Sequence, residues 1–151
     1  MATVMEYTLM TLRSQLVCQC LLMVNLTFIV ACRLLLVRLA EMKDNKLSLQ
    51  DVATSRQVSS VLTRVQASDN FRNLFEVPVL FYVLCTICLT LASLPKWLIV
   101  GGWFFVALRY FHSWIQCTYN RVLDRFICFF TSFLILQTLW VGVFLTFQPF
   151  M

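Results

Sequence analysis

Charge is what this sequence has least of. Of its 151 residues 13% are Asp, Glu, Lys or Arg, while 60% are hydrophobic. Soluble domains carry about a quarter charged residues, and a water-soluble fold could not absorb this apolar excess without exposing large patches. The arginines form no solvated basic face with interleaved aromatics, which argues against a nucleic-acid partner despite the formal charge of +5. A single histidine and unsuitable cysteine spacings leave no set of zinc ligands. No cleavable leader is expected in the N-terminal segment: the apolar stretch from Leu16 to Leu39 is too long, and no small-x-small cleavage site follows it. There is no internal repeat and no low-complexity stretch, so residues 1–151 are expected to form one domain.

Cysteine is plentiful. Cys18, Cys20, Cys32, Cys85, Cys88, Cys117 and Cys128 all fall within apolar runs or at their ends, where cysteine behaves as a small hydrophobe. Cys85-Thr-Ile-Cys88 has redox spacing but lacks the βαβ context that such a motif needs.

Crossing about 30 Å of hydrocarbon takes roughly 20 mainly apolar residues in a helix. Four stretches qualify, at about 15–39, 71–94, 96–119 and 125–147. The expected fold is an all-α membrane protein, a four-helix transmembrane bundle. The second and third connections are short. The first, about 40–70, is polar, and its pattern between Leu47 and Gln66 suits helical extensions beyond the membrane rather than a second core.

Lys and Arg near the span ends set the expected orientation. Lys43, Lys46, Arg56 and Arg64 lie in the first connection with Arg38 at its edge, and Arg121 and Arg125 lie at the third. Arg13 and Lys96 stand against them. Connections one and three are therefore expected in the cytoplasm, with both termini on the other side. That charge bias fits a bacterial inner membrane and the endoplasmic reticulum equally, and the brevity of the chain and the lack of a retention tail tilt the expectation toward the bacterial inner membrane.

Polar groups inside spans cost about 2.5–3.5 kcal/mol each on insertion scales, which makes them functional candidates. Here they cluster at one depth. Arg72, Asn73 and Glu76 open the second span, and Arg109, His112, Gln116 and Tyr119 form a three-four-three stripe down the third. Arg125 opens the fourth span and Arg38 closes the first. Two arrangements satisfy them. Glu76 pairs with Arg109 while the other arginines snorkel to headgroups, or all converge on a small charged ligand.

The motif Arg72-Asn73-Leu74-Phe75-Glu76-Val77-Pro78 resembles the second-helix signature of the MAPEG family, the membrane-associated proteins in eicosanoid and glutathione metabolism. Arg109-Tyr110-Phe111-His112 is similar to the R-x-x-H of its microsomal prostaglandin E synthase branch, and Arg125 matches that branch's fourth-helix arginine. The resemblance covers nearly the whole chain. It implies three protomers around a threefold axis, with glutathione bound between neighbours near the cytoplasmic face. Arg72, Asn73, Glu76, Arg109 and His112 would hold the tripeptide, with Arg38 and Tyr119 adjoining, and Arg125 would favour the thiolate. Arginine forks suit the two carboxylates of glutathione and Glu76 suits its ammonium.

Where the family often has a tyrosine this chain has Gln116, and where the prostaglandin branch has a serine and a tyrosine it has Phe126 and Phe129. Two functions are therefore carried forward. One is a glutathione transferase or peroxidase acting on a hydrophobic electrophile from the bilayer. The other is a non-catalytic lipid-binding or scaffold protein of the same fold. A transporter is disfavoured because no pair of spans is broken by Gly or Pro at corresponding positions.

Overall fold

The computed structural model describes residues 2–52, 54, 57 and 63–147. Among the described residues the α-helices with full bounds are, in order, α1 (Ala2–Asp44), α2 (Gln66–Asn73), α3 (Val77–Leu89), α4 (Lys96–Cys117) and α5 (Val122–Phe147), with a 3₁₀ turn at Leu49–Val52. No strand occurs among the described residues. Because α2 and α3 are two halves of one span, four helical segments are long and apolar enough to cross a membrane: Met5–Asp44, Gln66–Leu89, Lys96–Cys117 and Val122–Thr146. The all-α, four-span architecture is the one expected. Arg56 and the apolar positions Val58, Val61 and Leu62 of the first connection lie outside the described residues.

One helix organises the bundle. Half of the most apolar stretch of the third span is buried, against 17% for the first and 22% for the fourth, so α4 is central and α1 and α5 are peripheral. Leu16, Gln19, Met23, Leu26 and Val30 repeat at three-four spacing and bury one face of α1, while Val17, Leu21, Val24 and Phe28 face outward. In α5 the buried stripe is Ser132, Leu136, Leu139 and Val143. Phe81 of α3 stacks on Phe105 of α4 with ring centroids 4.6 Å apart.

Close approach of α1 to α4 depends on Gly102. A Cβ there would meet Gln19 Oε1 at 2.2 Å. Gln19 is fully buried and donates from Nε2 to the Ile99 carbonyl at 2.8 Å, so it has little room to retreat. Gly102→Ala is expected to cost about 1–3 kcal/mol through overpacking. Its loss should shrink when Gln19→Ala is added. A melting curve in detergent that Gly102→Ala leaves unmoved would show that this contact is absent.

Hydropathy alone carries the second span to Leu94, but α3 stops at Leu89. Thr90 ends it: its N–H and its hydroxyl both bond the Ile87 carbonyl, at 3.1 and 2.7 Å. Hydroxyls near a helix end compete for backbone carbonyls in this way. At the other end of the bundle α4 stops at Cys117, and Asn120 takes the left-handed conformation with φ 48 before α5 begins. Asparagine tolerates that region better than most residues.

The second span breaks at residues 74–76. Pro78 is the second residue of α3 and lacks an N–H, and its ring excludes a continuous helix through the carbonyl four residues earlier. Glu76 caps α3 with φ −97 and ψ −85, well outside helical values. The interruption frees backbone carbonyls just before it, and one of them enters the site.

Candidate functional site

The end of the bundle where α1 and α4 finish and α2 and α5 begin gathers most of the buried polar groups. At its centre is Arg109, fully buried. Its Nη2 donates to the Asn73 carbonyl at 3.0 Å, a group made available by the break in the second span. The guanidinium also lies over the Phe129 ring, 5.3 Å from the centroid. Its Nε and Nη1 have no partner. Glu76 is close enough to interact with Arg109 electrostatically. Among the described residues, however, the ion pairs are Arg64–Asp44 and Arg121–Asp124. The simple Glu76–Arg109 pair is not formed.

His112 lies one turn further along α4, 2% exposed. Its Nδ1 is 3.0 Å from the Arg125 carbonyl. A carbonyl can only accept, so Nδ1 carries the proton and Nε2 is the acceptor of the neutral ring. Nε2 is buried and faces Gln116, close enough to interact with it, but no hydrogen bond of normal geometry reaches it among the described residues. Gln116 is itself buried and accepts from Asn73 Nδ2 at 3.4 Å. Arg125 donates from Nη1 to Asn120 Oδ1 at 3.1 Å, so the left-handed turn residue also positions the arginine.

These groups surround a cavity of about 350 Å³. Asp69, Asn73, His112, Gln116 and Arg125 form its polar wall, and Val122, Phe126 and Phe129 its apolar one. Three helices thus deliver side chains to one space. Arg109 stands behind the wall through Asn73 and Phe129.

Not every expected residue reaches this space. Arg72 and Glu76 are exposed, because the break between α2 and α3 removes the common helical face that their four-residue spacing suggests. Arg38 is half-buried on α1 and does not line the cavity. Tyr119 falls in the turn after α4, 55% exposed, with its ring 5.8 Å from that of Trp114. Its phenol is held above the ordinary tyrosine range by desolvation, then by the neighbouring Asp124 carboxylate. At neutral pH Tyr119 is therefore a protonated donor and not a base.

Three polar contacts at this end have no counterpart in the sequence-derived set. Asn70 is fully buried, donating from Nδ2 to the Ser113 carbonyl at 3.4 Å and accepting from Ser113 Oγ at 3.1 Å. It stands three residues before Asn73, a helical spacing that could have flagged it. Glu41, also buried, accepts from the Thr63 backbone N–H at 2.6 Å and the Thr63 hydroxyl at 2.9 Å, tying the returning connection to α1. Arg33 donates to the Cys117 carbonyl at the end of α4. Cations at helix C-termini are favourable in this way.

No group of histidine, cysteine and carboxylate side chains among the described residues could hold a metal. Comparison with curated proteins and with solved structures yields no match. The MAPEG family model matches residues 16–145, which with four helices of membrane-crossing length makes the chain an integral multi-pass membrane protein belonging to the MAPEG family.

Proposed function

We propose that this chain binds glutathione at the cavity between α2, α4 and α5 and transfers the thiolate to hydrophobic electrophiles, or uses it to reduce peroxides, arriving from the bilayer. The observation that carries this reading is the fully buried Arg109, in no ion pair and with two guanidinium nitrogens lacking a hydrogen-bond partner among the described residues, beside a cavity whose wall includes His112, Asn73 and Arg125. A buried cation without a carboxylate partner costs several kcal/mol, and an anionic ligand would offset that cost. An arginine near sulfur favours the thiolate, since an unperturbed thiol is mostly protonated at neutral pH. In this scheme Arg125 is that arginine and His112 Nε2 accepts a hydrogen bond from the ligand. The exposed Arg72 and Glu76 and the half-buried Arg38 would contact a tripeptide shared with a neighbouring copy, in a homotrimer. The basic first and third connections support a site on the cytoplasmic side of the membrane.

Calorimetric titration of glutathione into detergent-purified protein tests the site. Charge-assisted hydrogen bonds are worth about 1.5–3 kcal/mol, so Arg72→Ala and Glu76→Gln should each weaken binding roughly 10- to 100-fold. Equal affinity in all three proteins would remove both residues from the site.

Phe126 and Phe129 favour a second reading, because both line the cavity and neither can donate to a thiolate. A non-catalytic lipid-binding or scaffold protein would have such a wall. Turnover with chlorodinitrobenzene separates the two. Glutathione-dependent product that falls at least about 100-fold in Arg125→Ala, the range of a lost electrostatic stabiliser, supports the enzyme. Absent turnover with intact glutathione binding supports the scaffold.

A further inference from the structure

A second polar cleft opens at the same end of the bundle, on the other side of Gln116. It measures about 360 Å³ and is walled by Arg33 and Val37 of α1, Arg64 and Gln66 at the start of α2, and Cys117 and Thr118 at the end of α4. Among the described residues no carboxylate lines it. Gln116 is 1% exposed and borders both cavities, so it acts as a partition between this cleft and the one beside His112.

Depth identifies what such a cleft meets. Arg33 reaches the carbonyl of Cys117, the last residue of α4, so its guanidinium stands level with the end of a span. α1 continues to Asp44, which at 1.5 Å per residue is about 16 Å further. The protruding helix and the returning connection, pinned by Glu41, form two sides of a notch at the height of lipid headgroups. Arg64 holds Asp44 only loosely, at 3.4 Å with both side chains more than half exposed, a geometry worth little in water. Its guanidinium can turn to a stronger acceptor. Two arginine forks match phosphate better than point charges do, and basic pockets between membrane helices are where phosphate headgroups lodge.

We infer that Arg33 and Arg64 form a phosphate-ester site, separate from the cavity beside His112, for the headgroup of an anionic lipid. The same chemistry would admit free phosphate, so the test carries both probes.

Native mass spectrometry of the detergent-purified chain, with phosphatidylglycerol, phosphatidylcholine and inorganic phosphate as probes, reads the site directly. The wild type should retain one phosphatidylglycerol per chain at concentrations where phosphatidylcholine is lost. Arg33→Gln and Arg64→Gln should each weaken retention about tenfold, in keeping with loss of a charged hydrogen bond. Arg121→Gln, at the same end but exposed and paired with Asp124, should not. Displacement of the lipid by millimolar inorganic phosphate would identify free phosphate as a competing occupant of the same site. Saturating glutathione should displace nothing. Equal retention in wild type and Arg64→Gln, an equal loss in Arg121→Gln, or displacement by glutathione would each overturn the inference. Arg64 is exposed enough that its variant keeps the test valid even if Arg33→Gln fails to fold.

Discussion

Arg109→Met should melt at the wild-type temperature or above it, and should bind glutathione about 30- to 150-fold more weakly. The two halves of that expectation come from one fact. Arg109 is fully buried, with one hydrogen bond to the Asn73 carbonyl and two nitrogens unpartnered. Methionine fills a similar volume without the desolvation cost of a charge, and such replacements of buried ions are often neutral or stabilising. The lost charge-assisted bond to Asn73 works against this by about 1.5–3 kcal/mol, which is less than the several kcal/mol that keeping the guanidinium dry costs. Binding moves in the other direction. A unit charge roughly 6–8 Å from an anionic ligand, at an effective dielectric near 20, is worth roughly 2–3 kcal/mol. Thermal melts and calorimetry on the same preparation check both parts. If Arg109→Met is strongly destabilised and still binds glutathione as the wild type does, the residue is a packing element and the proposed role ends there.

The spans were legible in the sequence because membrane insertion is a property of composition and length, and both are written locally. The depth clustering of polar groups was legible as well, since Arg109, His112 and Gln116 share one helical stripe whatever packs against it. What periodicity could not show was the break at residues 74–76. A continuous helix over 71–94 would place Arg72, Asn73 and Glu76 on a common face. Pro78 instead starts a new helix, turns Asn73 inward and leaves Arg72 and Glu76 outside. Pro78 was visible throughout. Its consequence depended on which carbonyl the interruption would release and whether a donor waited for it.

Span ends were misjudged for a related reason. Hydropathy extends through Leu91 and Leu94, and Leu94 is indeed buried, but a hydroxyl at Thr90 ends the helix first. Tyr119 was aligned with the α4 stripe by spacing, yet α4 stops at Cys117 and the left-handed Asn120 turns the chain away. Polar residues that satisfy one another, such as Asn70 with Ser113, were overlooked because neither is ionisable and their pairing spans 43 positions.

That pair sets the other large effect. Asn70→Asp is expected to lower stability by about 3 kcal/mol or more, a fall of roughly 6–12 °C in melting temperature for a chain of this size. Asn70 is fully buried; Nδ2 donates to the Ser113 carbonyl at 3.4 Å and to Cys117 Sγ at 3.3 Å, and Oδ1 accepts from Ser113 Oγ at 3.1 Å. Aspartate keeps the shape, so no cavity opens. It removes both donors, sets an oxygen against the Ser113 carbonyl, and buries a charge whose only donor is a hydroxyl. Leaving a buried polar group unsatisfied costs about 1–3 kcal/mol, and more when the group is charged, and the isosteric change isolates that term from packing. Asn70→Ala should cost less, because the space left behind can admit water beside Ser113. A melting temperature for Asn70→Asp within 2 °C of wild type, a margin set well below that fall, would mean that Asn70 does not sit between α2 and α4. The placement of Asn73, three residues on, would then lose its anchor.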